Sequence, residues 1–164
     1  MKKLVAYPAA ALALLASGTA FAQQTLIDDI AVSAEVTAAC TSVTATDVDF
    51  GTAGAADEID DATSTITVTC DTGTAYTVEL DYGQTPLAGT TTRQVTGAGG
   101  EFMDYFIFQD AGFSTPWGTI AEGEERTGTG TGAADPLTAY FRLNRTSGSS
   151  PGTYTDLVGV TLTF

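Results

Sequence analysis

Residues 30 to 37 follow a strict two-residue alternation. One side of it is formed by Ile30, Val32, Ala34 and Val36. Such a period is typical of a β-strand with one buried face. The stretch contains neither proline nor glycine, and no turn or partner strand precedes it. We therefore interpret it as a strand that pairs with another molecule, and pairing within its own domain is the alternative.

The rest of the chain has the pattern of short β-strands between turns. Helical periodicity is weak after residue 22, and threonine, glycine, aspartate and serine dominate. Counting the N-terminal stretch, about seven strands are predicted, which favours a β-sandwich or barrel. The other six predicted strands are Val48–Gly51, Thr65–Cys70, Tyr76–Leu80, Glu101–Phe108, Leu137–Leu143 and Thr153–Phe164.

Local patterns add expectations for single elements. Thr65–Cys70 and Tyr76–Leu80 flank a turn of Asp, Thr and Gly, so we predict an antiparallel hairpin. The aromatic run Glu101–Phe108 is predicted to be a central strand with both faces covered. We expect an acidic turn at Asp57–Asp61 and an exposed loop at Gly123–Ala134.

The first 22 residues have the features of a secretory signal peptide. Lys2 and Lys3 precede an alanine-rich apolar run, and Ala20-Phe21-Ala22 fits the small-x-small cleavage pattern. The run is short for a membrane span of about 20 residues, which disfavours a retained anchor. Cleavage after Ala22 would leave 142 of the 164 residues as one exported domain.

The composition disfavours catalysis and several classes of partner. After cleavage, four arginines remain against 20 acidic residues, a formal charge of −16. Such a surface repels nucleic acid and anionic membranes. Histidine, the usual general base and zinc ligand, is absent, so we predict no enzyme activity, no cofactor and no metal. The alternatives are a calcium site at Asp57–Asp61 and a glycosidase with paired carboxylates.

The two cysteines, Cys40 and Cys70, predict a disulfide. Paired cysteines of an exported protein are normally oxidised, and the spacing is not that of a redox CxxC motif. The bond would close a loop between positions 40 and 70, worth about 3–4 kcal/mol in the chain-entropy model.

Trp117, beside Gly118 and close to Phe113, has two interpretations. It packs over one end of the sandwich, or it forms a surface platform on which a sugar stacks. The second would favour a lectin-like secreted binding module.

A sandwich that lacks one strand would expose an apolar groove and two unpaired strand edges. An incoming strand with four apolar side chains on one face would fill the groove and pair with both edges. If each copy donates this strand to the next copy, the contact joins two different surfaces. Such a contact does not form a closed ring, so it produces a fibre.

Several motifs together resemble the spore coat protein U domain family, which includes the subunits of archaic chaperone–usher pili. The resemblance covers the whole chain after residue 22. Its motifs are the alternating run that ends four residues before Cys40, Val48–Gly51, Ile66–Cys70 with Thr72–Tyr76, Arg93 ahead of a glycine turn, Tyr105–Phe108 with Asp110, Trp117–Gly118, Gly152–Asp156 and Val158–Phe164.

The resemblance implies an incomplete immunoglobulin-like β-sandwich at residues 40–164, preceded by a donor segment at residues 23–39. A periplasmic chaperone would lend the missing strand, and an outer-membrane usher would exchange it for the donor segment of the next subunit. The implied donor positions are Ile30, Val32, Ala34 and Val36, the implied disulfide is Cys40–Cys70, and the implied chaperone-contacting final strand presents Val158, Val160, Leu162 and Phe164.

We therefore predict a structural shaft subunit of a surface pilus, polymerised head to tail by donor-strand exchange and supporting adhesion and biofilm formation. Its partners would be identical or related subunits, the chaperone and the usher, with no nucleic acid and no direct membrane insertion. A self-complemented binding module and a coat component are the alternatives. The sequence leaves open the adhesion target, the choice between a shaft and a minor subunit, and whether the N-terminal strand folds back onto its own domain.

Overall fold

The computed structural model describes residues 25–52, 58–88, 90–145 and 149–164. The predicted signal peptide lies outside these residues. The chain divides between Glu35 and Val36 into two units. Within the described residues, no helix is long and apolar enough to cross a membrane.

The larger unit is built from two antiparallel sheets, which confirms the all-β, immunoglobulin-like sandwich. A six-stranded sheet has the order β1-β2-β7-β5-β4-β8, and a three-stranded sheet has the order β6-β3-β9. Among the described residues, a 3₁₀ turn spans Ile120–Glu122. In chain order the described strands are β1 Cys40–Ala45, β2 Glu58–Cys70, β3 Ala75–Leu80, β4 Arg93–Gly97, β5 Phe102–Phe108, β6 Arg126–Thr129, β7 Ala134–Arg145, β8 Tyr154–Thr155 and β9 Val160–Thr163.

The core lies between the two sheets and is made by alternate residues of the long strands. The period of two sends every second side chain of β2, β3, β5 and β7 inward. The largest fully buried side chains are Trp117, Leu80, Ile107, Val68 and Val78.

The predicted hairpin between β2 and β3 is wrong. The turn itself forms, since the Thr74 N–H donates to the Asp71 carbonyl at 3.0 Å. However, β2 pairs with β1 and β7, while β3 pairs with β6 and β9. The turn therefore carries the chain from one sheet to the other, because long-range pairing prevails over a local turn signal that fits both topologies.

Several strand boundaries differ from those that the pattern predicts. Val48–Gly51 is not a strand, and the strand in this region is β1, which starts at Cys40. The predicted acidic turn is wrong for Glu58–Asp61, which open β2. These residues form a strand because antiparallel β7 pairs with them. Their charge is accommodated because β7 places arginines opposite acidic positions, as Arg142 stands opposite Asp61.

Two further expectations on strands are wrong. The region Gly123–Ala134 was expected to be a loop, but it contains β6, whose backbone pairs with β3 although its side chains are small. β5 is central between β4 and β7, yet it is not covered on both faces, since Phe102 is 48% exposed and Phe106 is 37% exposed.

The N-terminal segment carries no strand in the structure. Residues 25–39 are irregular, and the apolar side chains from Leu26 to Val36 are 85–95% exposed where they are large. Alternation alone does not create a strand, because the N–H and C=O groups of an extended segment need a partner ladder. The strand at residues 30–37 therefore stays a prediction for a pairing that one chain does not provide.

Candidate strand-acceptor groove

Both sheets end on the same side of the sandwich. β1 is the outermost strand of the large sheet and pairs only with β2, while β9 is the outermost strand of the small sheet and pairs only with β3. The two edge strands contact each other. Among the described residues, neither has a second hydrogen-bonding neighbour, so two unpaired edges face one region of the molecule.

A mainly apolar groove of about 930 Å³ adjoins these edges at Ala45, the last residue of β1, and at Val160, the first residue of β9. Residues 45–52, residues 149–158 and Val160 of β9 line it, and core side chains form its floor. The floor residues are Ile66, Leu80, Met103, Tyr105, Phe141 and Leu143. A groove of this kind, floored by the core and flanked by free edges, is suited to an extended peptide with apolar side chains on one face.

The charged residues of the groove are already compensated or exposed. Arg145 pairs with Asp60, and its guanidinium also donates to the Phe50 carbonyl at 3.5 Å. Asp49 is exposed and accepts the Gly51 N–H at 2.7 Å. The interior of the groove therefore offers mainly apolar surface, with polar groups but no buried charge that lacks a partner among the described residues.

Two polar side chains in the core fix the region around the groove. Arg93 is 4% exposed, and its guanidinium donates to the carbonyls of Leu80 and Trp117 at 3.0 Å each. Burial lowers the pKa of Arg93 from its ordinary value. Tyr105, also buried, donates its hydroxyl to Asp156 at 2.6 Å. Burial and the Asp156 carboxylate hold the pKa of Tyr105 above its usual range.

Sequence patterns did not indicate most of these groove residues. The lining segments 45–52 and 149–158 are rich in small and polar residues, and their few large apolar residues, such as Val48, Phe50 and Leu157, form no extended period. Arg93 was recognised only as part of a family motif, since a buried arginine leaves no distinctive local pattern.

The two predicted cysteines are brought together. Cys40 and Cys70 form a disulfide between β1 and β2, where they are also paired in the strand register. The predicted donor residues Ile30, Val32, Ala34 and Val36 are all exposed.

The final strand has the expected alternation over most of its length. Val158, Val160 and Leu162 are partly buried and pack against the core. Phe164 shares their parity but is 62% exposed. The chaperone-contacting role of these four residues stays a prediction.

Trp117 is fully buried, so the surface sugar platform is wrong and the packing interpretation is confirmed. Its indole N–H donates to the Val78 carbonyl at 3.0 Å, and the Arg126 guanidinium lies 5.3 Å from its ring centre.

Asp60 and Asp61 of β2 are paired with Arg145 and Arg142. Asp61 receives a bidentate pair from Arg142 at 2.8 and 2.9 Å. Hydrogen bonding from Arg142 and its charge hold the pKa of Asp61 below its usual range. Within the described ranges, no group of three or more His, Cys, Asp or Glu side chains is arranged to hold a metal ion.

A family model with the description Spore Coat Protein U domain matches residues 27–161. The chain belongs to this family. The match extends from the N-terminal segment through both sheets to β9, so it includes both the groove and the exposed alternating stretch.

Solved structures with a similar fold include one from archaic chaperone–usher Csu pili of Acinetobacter baumannii. It is the pre-assembly complex of the chaperone CsuC with the tip adhesion subunit CsuE, and the likeness has a TM-score of 0.56 at 25% sequence identity. The match covers 79% of this chain and 40% of the solved chain. Among curated proteins, no sequence matches the chain.

Proposed function

We propose that this family member is a shaft subunit of an archaic chaperone–usher pilus and that it polymerises by donor-strand exchange. The alternating face of residues 30–36 would enter the groove of the next copy, between its β1 and β9. One observation carries this proposal: the described residues include a mainly apolar groove that adjoins two edge strands with one neighbour each, and an exposed segment with the matching alternation.

Insertion of the donor segment into an empty groove would be energetically favourable. Burial of a large aliphatic side chain contributes about 1.5–3 kcal/mol, and the donor offers Ile30, Val32 and Val36 as large residues. Each ladder hydrogen bond adds about 1 kcal/mol net. Together these terms reach roughly 10 kcal/mol before the cost of ordering the segment is subtracted.

The geometry of the exchange favours a fibre. Donor and acceptor are different surfaces of the same chain, so each copy can donate to one neighbour and accept from another. Such a heterologous contact builds an open fibre, unless the rotation between successive copies brings the chain of copies back into a ring. A terminal subunit needs only an acceptor, and a chain with both surfaces therefore suits the shaft.

The same surfaces define the other partners of the subunit. An exposed groove with free edges is an aggregation hazard, so we expect a periplasmic chaperone to cover it by lending a strand. An outer-membrane usher would then exchange that strand for the donor segment of the next subunit. The protein would be exported through the periplasm to a surface fibre that supports adhesion and biofilm formation.

The proposal is tested by a pair of substitutions on the two sides of the donor segment. Val32→Asp places a charge on the side that would enter the groove, whereas Ser33→Asp places the same charge on the opposite side. Polymers are measured as ladders of unboiled samples on a denaturing gel. We expect Val32→Asp to abolish the ladder and Ser33→Asp to retain it.

Equal ladders from both variants would contradict strand donation by this face. A wild-type chain that stays monomeric and stable without a chaperone would instead favour the self-complemented binding module.

A further inference from the structure

The connection between the two sheets beside the groove is held by a set of polar contacts. Residues 156–159, here called the crossover, lead from β8 in the large sheet to β9 in the small sheet. Asp156 and Val158 of the crossover line the groove, and β9 begins directly after it. The position of the crossover therefore sets the position of the free β9 edge.

The first half of the crossover is anchored through Asp156. Its carboxylate accepts the Tyr105 hydroxyl at 2.6 Å on one oxygen and the Gln84 N–H at 2.9 Å on the other. Tyr105 is 3% exposed and belongs to β5 in the middle of the large sheet. Hydrogen bonds to an ionised carboxylate are stronger than neutral ones, so this anchor ties the crossover firmly to the core.

The second half is anchored through Gly159 and Asp81. The Gly159 N–H donates to the Asp81 carboxylate at 2.8 Å, and the Asp81 N–H donates back to the Gly159 carbonyl at 3.0 Å. Arg93 holds Asp81 in turn, because its Nε donates to the Asp81 carbonyl at 2.7 Å. The buried Arg93 guanidinium thus holds the crossover indirectly, through Asp81.

Glycines stand where the two aspartates make these contacts, and a side chain there would displace the carboxylates. A Cβ at Gly159 would overlap the Asp81 carboxylate, and a Cβ at Gly83 would overlap the Asp156 carboxylate. Gly83 also has a φ of 77°, which disfavours other residues. Each carboxylate is therefore fitted closely against backbone.

β9 needs such an anchor because it is short and paired on one side only. It has four residues and one neighbour, β3. A slip of one residue would turn Val160 and Leu162 away from the core and reverse the side presented to an incoming strand. If only a fraction of the chains hold β9 in the correct register, the apparent affinity for an incoming strand falls in proportion to that fraction.

We infer that the contacts of Tyr105 with Asp156, and of Arg93 and Asp81 with Gly159, form a latch that holds β9 in the register needed for strand capture. Tyr105 and Asp156 are then positioning residues for the exchange. This inference rests on the proposed function, and it adds that the groove is kept ready by polar contacts outside the strand ladder.

The experiment compares two tyrosines that are equally buried and that each donate a hydrogen bond to a carboxylate. Tyr105→Phe keeps the ring that lines the groove and removes only the hydroxyl of the latch. Tyr76→Phe is the matched control, because Tyr76 is also 3% exposed and donates to a carboxylate, Asp135, at 2.5 Å, but does not line the groove. The probe is a fluorescent peptide of residues 25–38, followed by anisotropy. It is mixed with the chain from residue 23 onward after deletion of residues 25–38, so that no copy offers a donor segment of its own.

We expect Tyr105→Phe to slow peptide capture about tenfold, the factor that corresponds to the loss of one charged hydrogen bond. Tyr76→Phe should lose comparable stability yet capture the peptide at the wild-type rate. Amide hydrogen exchange of β9 should accelerate in Tyr105→Phe alone. Should that variant fail to fold, Gly159→Ala disturbs the other half of the latch and is measured in the same way.

Equal capture rates and equal β9 exchange in the two tyrosine variants would overturn the latch. A deletion variant with both tyrosines intact that captures no peptide would refute the proposed function, and the β9 exchange would still test the latch itself.

Discussion

Tyr76 is a buried tyrosine whose hydroxyl donates to a carboxylate, and this sets how the fold responds to alkaline pH. Burial and the hydrogen bond to Asp135 raise the pKa of Tyr76 from 10.0 to about 12. The folded state therefore binds the phenolic proton more tightly than the unfolded state does. Its contribution to stability is complete below about pH 10 and is lost as the pH rises towards about 12.

We predict that the free energy of unfolding of the wild type falls across this window and that it falls less steeply in Tyr76→Phe. The variant should also lose about 1–3 kcal/mol at neutral pH, because Asp135 loses a partner. Urea denaturation at a series of pH values measures both effects. Parallel curves for the two proteins would contradict the assigned cause.

Single residues also show where sequence reasoning ends. The disulfide of Cys40 and Cys70 was predictable, because chemistry and compartment leave two cysteines of an exported chain few alternatives. The burial of Trp117 was not decided by its neighbours, since the adjacent Pro116 is exposed. Its place in the core depends on the backbone of β3, which receives the indole N–H and lies far away in sequence.

At the scale of elements, the disulfide connects the end of the N-terminal segment to β2, the second strand of the large sheet. β2 is paired on both edges, and the Asp71 N–H donates to the Ala39 carbonyl at 2.8 Å. A pull on the donor segment is therefore transmitted to β2 and not to the edge strand β1 alone.

We predict that the double variant Cys40→Ser, Cys70→Ser loses about 3–4 kcal/mol in the free energy of unfolding, the amount expected for a loop of this length. Reduction of the wild type should give the same loss, measured by urea denaturation with and without a thiol. A loss near zero would mean that the β1 ladder alone holds this end of the chain.

The elements differ in how far the sequence determined them. Strands β3 and β7 were predictable because alternation and burial agree along them. Strands β4 and β6 were missed because glycine, threonine and polar residues obscure their period, and their partners supply the ladder. The acceptor groove was predicted as a consequence of a missing strand, but its lining depends on how the ends of two sheets meet.

At the scale of the whole molecule, acidic charge opposes association while the groove favours it. The chain carries 20 acidic residues and six basic ones. Of its arginines, Arg93 is buried, and Arg142 and Arg145 already pair with aspartates. Copies therefore repel each other over most of their surface, and we expect polymerisation to depend on apolar burial in the groove.

The most direct test of the account removes the donor and returns it as a separate molecule. The chain from residue 23 onward is compared with a variant that lacks residues 25–38, each co-expressed with a periplasmic chaperone and run unboiled on a denaturing gel. We predict a ladder from the intact chain and a single chaperone-capped subunit from the deletion, which then binds a synthetic peptide of residues 25–38. Strand donation between copies would be contradicted if the intact chain stays monomeric and stable without a chaperone and the deletion variant does not bind the peptide.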